Sequence, residues 1–266
     1  MIDIHCHLLP QIDDGSDSEE KSLQQLRLMY EGGIRQVFLT AHFTHGYEQH
    51  GRDEDYVAKY HSKLESMRSL VRENGIDIGL NKGFEVYVTP QTSGDIAKHD
   101  LSLGNSRYVL LETDLNGLPV DFYLTLFPIL RQGYKPILAH AERYVSIMQD
   151  PREAKKLIQR NIYIQVNSGS LLGAYGKKVQ ETAWLLVRNG WAHLLGSDDH
   201  ARSPYGGFFQ AREKLEREID GQISTLLTEE FPHTVLDDGI IPYKYVYLKP
   251  VRQHRTSKSF LQRIFG

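Results

Sequence analysis

The N-terminal run Met1-Ile2-Asp3-Ile4-His5-Cys6-His7 contains two histidines at alternate positions. Ile2 and Ile4 are β-branched and apolar, so the run favours a strand that buries these two side chains on one face. Because side chains alternate along a strand, His5 and His7 would share the opposite face, where two imidazoles can bind one metal ion. A short strand with two chance histidines explains the run at least as well by itself. The metal interpretation therefore depends on ligands from the rest of the chain.

Later strands also end close to a histidine or a carboxylate. Apolar and β-branched runs predict strands at 34–40, 107–112, 134–139 and 192–197, with a further short apolar run at 83–86. The polar residues in or after these runs are His42, Glu85, Glu112, His140, Asp198 and His200. In barrels of parallel strands the chemistry gathers where the strands end, so we expect these side chains to meet.

Helical patterns separate the strands. Apolar residues recur at helical spacing after a Ser-x-x-Glu sequence that begins at Ser16, and this helix should end near Glu31. Further helices are predicted at 56–71, 122–130, 177–188 and 208–219, and further strands at 162–166 and 245–248. The alternation of strands and helices predicts a parallel sheet with helical crossovers, closed into a barrel or left open.

The composition limits the class of protein. The chain has 266 residues, 40% of them hydrophobic and 24% charged, which predicts a single globular domain with a large core. A net charge of -3 creates no overall field that would attract nucleic acid, so no nucleic-acid partner is expected. Cys6 is the single cysteine, which excludes an internal disulfide. No leader sequence and no apolar stretch of about 20 residues is recognisable, so the expected location is the cytoplasm.

Nine side chains are candidate metal ligands. They are His5, His7, Asp14, His42, Glu85, Glu112, His140, Asp198 and His200. One ion in a protein site commonly takes about four protein ligands, so this number favours two or three ions that share a carboxylate. Imidazole and carboxylate ligands without thiolate suit Mn, Fe, Zn or Mg. For Asp14 alone, the sequence Asp13-Asp14-Gly15 is equally typical of a plain turn.

Several motifs, taken in order, resemble the polymerase-and-histidinol-phosphatase (PHP) superfamily. Within it they are similar to the bacterial manganese-dependent protein-tyrosine phosphatases that are encoded with capsule and exopolysaccharide genes. The motifs are Asp3-Ile4-His5-Cys6-His7, Asp13-Asp14-Gly15, His42, Phe84-Glu85, Leu110-Leu111-Glu112, Ala139-His140-Ala141-Glu142-Arg143-Tyr144, Gln165-Val166-Asn167-Ser168 and Ser197-Asp198-Asp199-His200. The resemblance extends from residue 1 to about residue 200. Each motif alone is weak evidence, but the ordered set is specific.

The resemblance implies a distorted (β/α)7 TIM-like barrel of the PHP type, which we expect over residues 1–250, followed by a basic tail at 251–266. It also implies a centre of three Mn²⁺ ions, with Fe or Zn as alternatives. His5, His7, Glu85 and Asp198 would hold the first ion. Glu85 would bridge to a second ion held by Glu112 and His140, and Asp14, His42 and His200 would hold the third. Arg143 would bind the phosphate, and His42 or His200 could assist catalysis if one ring nitrogen is free.

The expected function is hydrolysis of phosphotyrosine on a bacterial tyrosine kinase of polysaccharide export, by attack of a hydroxide that bridges two ions. A small-molecule phosphatase acting on histidinol phosphate or a sugar phosphate is the alternative within enzymes. An inactive metal-binding regulatory protein is a second alternative. Phe43 and Asp199 depart from the residues usual at these positions in the family, and we expect them to affect substrate choice.

Other residues receive structural interpretations. Cys6 is expected in the core, on the face opposite His5 and His7. The remaining histidines, including His45, have no matching spacing and are interpreted as surface or core residues. The basic tail with its interleaved aromatic and aliphatic residues is the one segment that could contact a membrane, although a solvated or self-packed tail is the favoured interpretation.

Overall fold

The computed structural model describes residues 1–242, so the strand predicted at 245–248, the domain boundary at 250 and the basic tail lie outside the described residues. Within that range the strands are β1 (Ile2–Cys6), β2 (Gln36–Phe43), β3 (Gly79–Tyr87), β4 (Tyr108–Glu112), β5 (Lys135–Leu138), β6 (Tyr163–Asn167) and β7 (Leu194–Gly196). The α-helices are α1 (Glu19–Glu31), α2 (Asp53–Glu73), α3 (Thr92–His99), α4 (Phe122–Arg131), α5 (Val145–Gln149), α6 (Arg152–Gln159), α7 (Ser168–Leu172), α8 (Lys177–Arg188), α9 (Gly207–Glu218), α10 (Gly221–Thr225) and α11 (Phe231–Leu236). Short 3-10 turns lie at Glu48–His50 and Ala141–Arg143, and a π-helical turn lies at Leu226–Glu230.

The strands form one parallel sheet in which β1 to β7 follow each other in chain order. The sheet closes on itself where β1 meets the segment after β7. There the backbone N–H of His7 donates to the carbonyl oxygen of Asp199 at 2.8 Å, and the N–H of Asp198 donates to that of His5 at 2.8 Å. The architecture is therefore the (β/α)7 barrel that the sequence analysis expects, in its closed form.

The helices cover the outside of this barrel. The longest, α2, has 21 residues and buries one side of its surface, including Tyr56, Tyr60, Leu64 and Met67. Its first turn carries three acidic residues, whose negative charges interact favourably with the positive end of the helix dipole. Among the helices of residues 1–242, none has both the length and the apolar character needed to cross a bilayer.

The interior of the barrel changes from apolar to polar along its axis. One buried apolar cluster includes side chains from β1, β2, β4, β5, β6 and β7, among them Phe38 and Tyr163. Residues two positions apart on a strand share a face. The face that begins with Phe38 therefore continues to His42, and the face that begins with Tyr163 continues to Gln165 and Asn167. Polar side chains consequently lie above an apolar core, at the carboxyl ends of the strands.

The opposite end of the barrel is closed by the segment that follows α11. The hydroxyl of Tyr163 donates to the carbonyl oxygen of Ile241 at 2.8 Å, and the hydroxyl of Tyr108 accepts the N–H of Ile241 at 3.1 Å. Lys135, at the start of β5, forms an ion pair with Asp238 at 2.9 Å. Because these contacts involve the first residues of three strands, the polar end is the one left accessible.

A β-bulge interrupts the pairing of β1 with β2. Asp3 pairs with Val37, whereas Cys6 pairs with Leu39. Three steps along β1 therefore match two steps along β2, which leaves one extra residue between Asp3 and Cys6. A bulge of this kind changes which face the following side chains occupy.

The bulge makes one prediction wrong and leaves another intact. Ile4 packs in the interior cluster, yet His5 is also buried inside the barrel, so the expected separation of these side chains on opposite faces is wrong. Cys6 is fully buried in the other core cluster, away from His5 and His7, so its predicted place in the core is confirmed.

Two strands are longer than predicted. β2 continues through His42 to Phe43, and β3 is one continuous strand from Gly79 to Tyr87 instead of the short run at 83–86. The two strands support each other, since residues 36–43 pair in register with residues 79–86, including His42 opposite Glu85. Backbone pairing thus extends both strands beyond their apolar stretches.

The start of α1 differs from the predicted capping box. The residue that caps the helix is Ser18, whose hydroxyl accepts the N–H of Lys21 at 3.3 Å. Ser16 is buried instead, and its N–H donates to the carbonyl oxygen of His7 at 2.9 Å. The predicted end of the helix at Glu31 is confirmed.

Gly196 occupies a crowded position in β7. A Cβ atom there would lie 2.8 Å from Gln165 Nε2 and 2.8 Å from His5 Cβ. We predict that Gly196→Ala lowers the free energy of unfolding by about 1–3 kcal/mol, the usual cost of overpacking, in a urea titration. Gly221→Ala is the matched control, because nothing lies within 4 Å of a Cβ there. Equal stability of the two variants would contradict this account of Gly196.

Candidate metal centre

The nine side chains proposed as ligands converge at the polar end of the barrel. Their ligand atoms form three groups, and within each group all atoms lie within 4.8 Å of one another. The groups are His5, His7, Glu85 and Asp198; His42, Glu85 and Glu112; and His7, Asp14, His42 and His200. The remaining member, His140, places its Nε2 2.8 Å from Glu85 Oε1. The structure thus brings together residues separated by up to 195 positions.

The first group is the most buried. His5 Nε2 lies 3.1 Å from His7 Nε2, and both nitrogens lie 3.2–3.3 Å from Glu85 Oε2. The same two nitrogens lie 3.5 and 3.4 Å from Asp198 Oδ1. All four residues are at least nine-tenths buried. Two imidazoles and two carboxylates therefore enclose one small volume that bulk water does not reach.

Hydrogen bonds determine the proton positions on the two rings. The backbone N–H of His140 donates to Gln165 Oε1 at 2.8 Å, so this amide oxygen is an acceptor. His5 Nδ1, 3.1 Å from the same oxygen, must then be the donor. His7 Nδ1 likewise donates to Asp13 Oδ2 at 2.8 Å. In the neutral form of each ring, Nε2 therefore carries a lone pair directed into the group.

This arrangement fits a metal ion. Two lone pairs that face each other at 3.1 Å repel unless a cation lies between them. Ligand bonds of about 2.1 Å around one ion place neighbouring ligand atoms about 3.0–3.4 Å apart, which matches the observed separations. Among the described residues, Glu85 Oε2 is buried without a hydrogen-bond partner, as an oxygen that binds a metal would be.

The other two groups share His42. Its Nδ1 lies 3.1 Å from Glu112 Oε1 and 3.3 Å from Glu85 Oε2, and its Nε2 lies 3.4 Å from Asp14 Oδ1. His200 Nε2 is also 3.4 Å from Asp14 Oδ1. The expected grouping assigned His42 to the third ion alone, whereas the geometry places it between the second and third positions.

The carboxylates strongly favour positive charge on the histidine rings. Burial lowers the pKa of His42, but its contacts with Asp14 and Glu112 outweigh burial and raise that pKa to about 10. The pKa values of His5 and His7 are also raised, since nearby carboxylates outweigh the effect of burial. Asp198 shows the reciprocal effect: its pKa is lowered despite burial, chiefly by His5. Protons and metal ions therefore compete for the same atoms.

A tight turn positions Asp14 and supports His7. In the sequence Asp13-Asp14-Gly15, Asp13 accepts hydrogen bonds from the backbone N–H groups of Gly15 at 3.1 Å and His42 at 3.1 Å as well as from the His7 ring. A Cβ at Gly15 would lie 2.0 Å from the carbonyl oxygen of His7, so this position accepts only glycine. The turn is thus part of the site as well as a change of chain direction.

Two polar side chains of β6 connect the ligands. Gln165 Nε2 donates to Asn167 Oδ1 at 2.7 Å, and Asn167 Nδ2 donates to Asp198 Oδ2 at 2.7 Å. With the contact to the His5 ring, one hydrogen-bonded chain runs from His5 to Asp198. In the sequence analysis, Gln165 and Asn167 belong to one motif of the resemblance and have no assigned role. The sequence did contain one indication of their role: Gln165 and Asn167 lie at alternate positions of a strand, on the same face as Tyr163.

Cationic side chains lie at the rim of the cluster. Arg143 Nη1 donates to Asp198 Oδ2 at 3.1 Å, and its guanidinium lies over the ring of Tyr175, 4.7 Å from the ring centre. Arg202, which sequence analysis did not identify, donates to Asp14 Oδ2 at 2.9 Å. Both arginines line the same cavity as seven of the nine proposed ligands, among them Glu85, Glu112 and His140.

The structure places Phe43 and Asp199, the two residues expected to affect substrate choice, in different surroundings. Phe43 is buried among Tyr56, Phe84 and His99, because β2 continues through it and turns its side chain to the outer face. The Asp199 side chain accepts the N–H of Ala201, and burial raises its pKa to about 7. Neither residue lines the cavity that contains Glu85, Glu112 and Arg143, but Asp199 lines a neighbouring cavity together with Asp198, His200 and Arg202. The effect of both residues on substrate choice stays a prediction.

The raised histidine pKa values predict the pH dependence of metal binding. With a pKa of about 10, the ring of His42 is protonated at pH 7 in the metal-free protein, and a metal ion must displace that proton. The affinity for Mn²⁺ should rise between pH 6 and pH 8, by about tenfold per pH unit for each proton released. Calorimetry in two buffers of different ionisation enthalpy measures both quantities. An affinity that does not change with pH would exclude histidine ligands.

The hydrogen-bonded chain predicts a role for Gln165 in metal affinity. Gln165→Leu removes the acceptor that keeps the His5 Nε2 lone pair directed into the group. Loss of such a support typically weakens metal binding by about 10–100-fold. Gln132→Leu is a matched control, because Gln132 is exposed and its amide contacts only Ser93. Unchanged Mn²⁺ affinity in a folded Gln165→Leu protein would show that His5 needs no such orientation.

Comparison with known proteins connects this geometry to a family. Tyrosine-protein phosphatase YwqE of Bacillus subtilis (strain 168) is 29% identical over 231 residues, which cover 86% of this chain and 89% of YwqE. Tyrosine-protein phosphatase CpsB of Streptococcus pneumoniae is 27% identical over 250 residues, which cover 91% of this chain and all of CpsB.

The fold gives the same result. The crystal structures of YwqE and CpsB, described as unique metal-dependent tyrosine phosphatases, include a chain that matches with a TM-score of 0.82 and 26% identity, over 94% of this chain and 98% of that chain. The family model for capsular polysaccharide synthesis, CpsB/CapC, matches residues 1–237. The resemblance seen in the sequence motifs is therefore confirmed, and the chain belongs to the CpsB/CapC family.

Proposed function

We propose that this protein is a metal-dependent phosphomonoesterase that hydrolyses phosphotyrosine on a protein. The observation that carries the proposal is the buried group in which two imidazole lone pairs and two carboxylates surround one volume, next to the partly exposed side chain of Arg143. The relatives YwqE and CpsB, named as tyrosine-protein phosphatases, support the same activity.

The nine side chains would hold the metal ions, and we propose Mn²⁺ in three positions, with Fe or Zn as alternatives. His5, His7, Glu85 and Asp198 would hold the first ion. The second would be shared by Glu85, Glu112 and His140, and the third by Asp14, His42 and His200. When bound, such ions activate water for attack on phosphorus and neutralise charge on the phosphoryl oxygens.

Arg143 is the proposed phosphate-binding residue. Its guanidinium is oriented by two contacts, the hydrogen bond to Asp198 and the ring of Tyr175. The planar group retains further N–H donors, and these suit phosphoryl oxygens that gain charge during the reaction. An arginine held in this way needs little reorganisation when the substrate binds.

The contacts of His42 and His200 support a role as metal ligands. Both ring nitrogens of His42 face carboxylates. His200 Nδ1 donates to the carbonyl oxygen of Asp198 at 2.9 Å, while its Nε2 faces Asp14. Because both nitrogens of each ring have such contacts, the arrangement favours the ligand role over proton transfer. A phenol leaves with a pKa of about 10, so a tyrosyl ester needs no strong general acid.

The shape of the site favours a protein substrate over a metabolite. The outer residues Asp14 and Arg202 have side-chain exposures of 58% and 72%, and the flanking aromatic residues Tyr47 and Tyr175 are 42% and 41% exposed. A phosphotyrosine that projects from a protein segment can enter such an open site. Histidinol phosphate or a sugar phosphate would be left largely in solvent, which weakens the small-molecule alternative.

The family suggests the biological substrate. The matching family model is that of capsular polysaccharide synthesis, so we propose a tyrosine kinase of polysaccharide export as the phosphorylated partner. Dephosphorylation of a kinase takes place where the kinase uses ATP, so the proposed location is the cytoplasm. We further propose that residues 1–250 are one catalytic domain and that the basic residues after it are a separate tail.

The test compares three substrates in the presence of Mn²⁺. A phosphotyrosine peptide should be hydrolysed much faster than a phosphoserine peptide or histidinol phosphate. Arg143→Lys should lower kcat/KM for phosphotyrosine by on the order of 10²-fold, because a lysine cannot reproduce the planar donor pair. His42→Ala should lose both activity and bound metal.

His61→Ala serves as the control for the histidine variant, since His61 is a half-buried residue of α2 outside the site. Preference for histidinol phosphate would move the protein to the small-molecule alternative. Metal binding without turnover of any ester would support the inactive regulatory protein.

A further inference from the structure

We propose that His45, Asp53 and Asp95 form a separate divalent-cation site that anchors the loop beside the substrate cavity. This site shares no residue with the nine ligands of the central cluster. It joins three elements: the loop after β2, the first residue of α2, and α3. Sequence analysis interpreted His45 as an ordinary surface or core histidine, because its two partners lie 8 and 50 positions away.

The geometry is that of converging ligands. His45 Nδ1 lies 3.0 Å from Asp95 Oδ2, 3.1 Å from Asp95 Oδ1 and 3.3 Å from Asp53 Oδ2. Three carboxylate oxygens thus surround one ring nitrogen, which has at most one proton to donate. Separations of about 3.0–3.4 Å between ligand atoms suit one ion with bonds of about 2.1 Å.

The burial of Asp95 is the independent observation that points to a ligand. Its side chain is 9% exposed. Among the described residues, Asp95 Oδ2 has no hydrogen-bond partner of acceptable geometry, although it points to His45. A buried carboxylate oxygen without a donor is costly unless a cation satisfies it.

The charge of the group favours a divalent ion. With a neutral His45 ring, Asp53 and Asp95 give the group two negative charges. The nearby ammonium of Lys98 forms its ion pair with Glu54. A divalent ion bound by one imidazole and two carboxylates, with water in the remaining positions, would balance these charges. Mixed imidazole and carboxylate ligands suit Mn²⁺ or Zn²⁺.

The site would hold the loop that forms one wall of the substrate cavity. The N–H of Gly46 donates to both oxygens of Asp53 at 3.1 and 3.4 Å. These hydrogen bonds already attach the first part of the loop to the Asp53 carboxylate. Tyr47, Gln49 and His50, which follow Gly46, line a cavity together with His42, Asp14 and Glu112. A cation on His45 would restrict the loop at its base and so position these side chains.

The first measurement counts bound ions without substrate, so it does not depend on the proposed phosphatase activity. The full chain is stripped of metal and equilibrated with Mn²⁺, and the bound equivalents are determined by elemental analysis. Asp95→Asn and His45→Ala should each bind one equivalent fewer than the wild type. His61→Ala, the matched control, should bind the same number as the wild type.

The second measurement follows the loop itself. Trypsin cleaves after Arg52, which is exposed and directly precedes Asp53. In the wild type, Mn²⁺ should slow this cleavage several-fold, whereas in His45→Ala, Mn²⁺ should have no effect. Because His45 is a partly exposed loop residue, its variant should fold even if Asp95→Asn does not.

Two results would overturn the proposal. Equal numbers of bound ions in the wild type and in both variants would show that a protonated His45 is simply ion-paired with the two carboxylates. Cleavage after Arg52 that is independent of Mn²⁺ in the wild type would show that no cation restrains the loop.

Discussion

One buried carboxylate, that of Glu85, is the constraint around which the barrel end is built. Its oxygens lie within 3.3 Å of nitrogens of His5, His7, His42 and His140. A charge that is almost fully removed from water requires positive charge close by, and among residues 1–242 the ion-pair partners of Glu85 are these four imidazoles. Protons supply that charge in the metal-free protein and metal ions would supply it in the proposed enzyme. The negative charge of Glu85 is therefore balanced only when the surrounding imidazoles bind protons or metal ions.

The surrounding structure keeps these groups in place through hydrogen bonds of defined direction. Backbone N–H groups can only donate, so each one that reaches Gln165 or Asp13 specifies an acceptor. The acceptor in turn specifies the proton position on His5 or His7. Rotation of any one of these side chains would break several bonds, which is why the ligand geometry can persist in a cluster that repels itself without cations.

The alternation of strands and helices could be predicted from the sequence, and so could the position of the nine candidate ligands at one end of a barrel. Local patterns carry this information, because apolar periodicity specifies strands and helices and because parallel strands end together. The bulge in β1 was not predictable, since it arises from pairing with β2. The roles of Gln165 and Asp13 depend on contacts with rings 160 and 6 positions away. The burial of Phe43 was not predicted, because the strand was expected to end at residue 40.

The hydrogen bonds between β1 and the segment after β7 close the barrel, and they also link the order of synthesis to the chemistry. His5 is synthesised before its partner Asp198, which follows 193 positions later. A nascent chain therefore carries histidines long before any enclosed site exists. The proposed metal site would be enclosed only when the segment after β7 lies beside β1, so a bound ion would indicate a completed barrel. Truncated or incompletely folded chains would release their metal and remain inactive towards phosphoproteins.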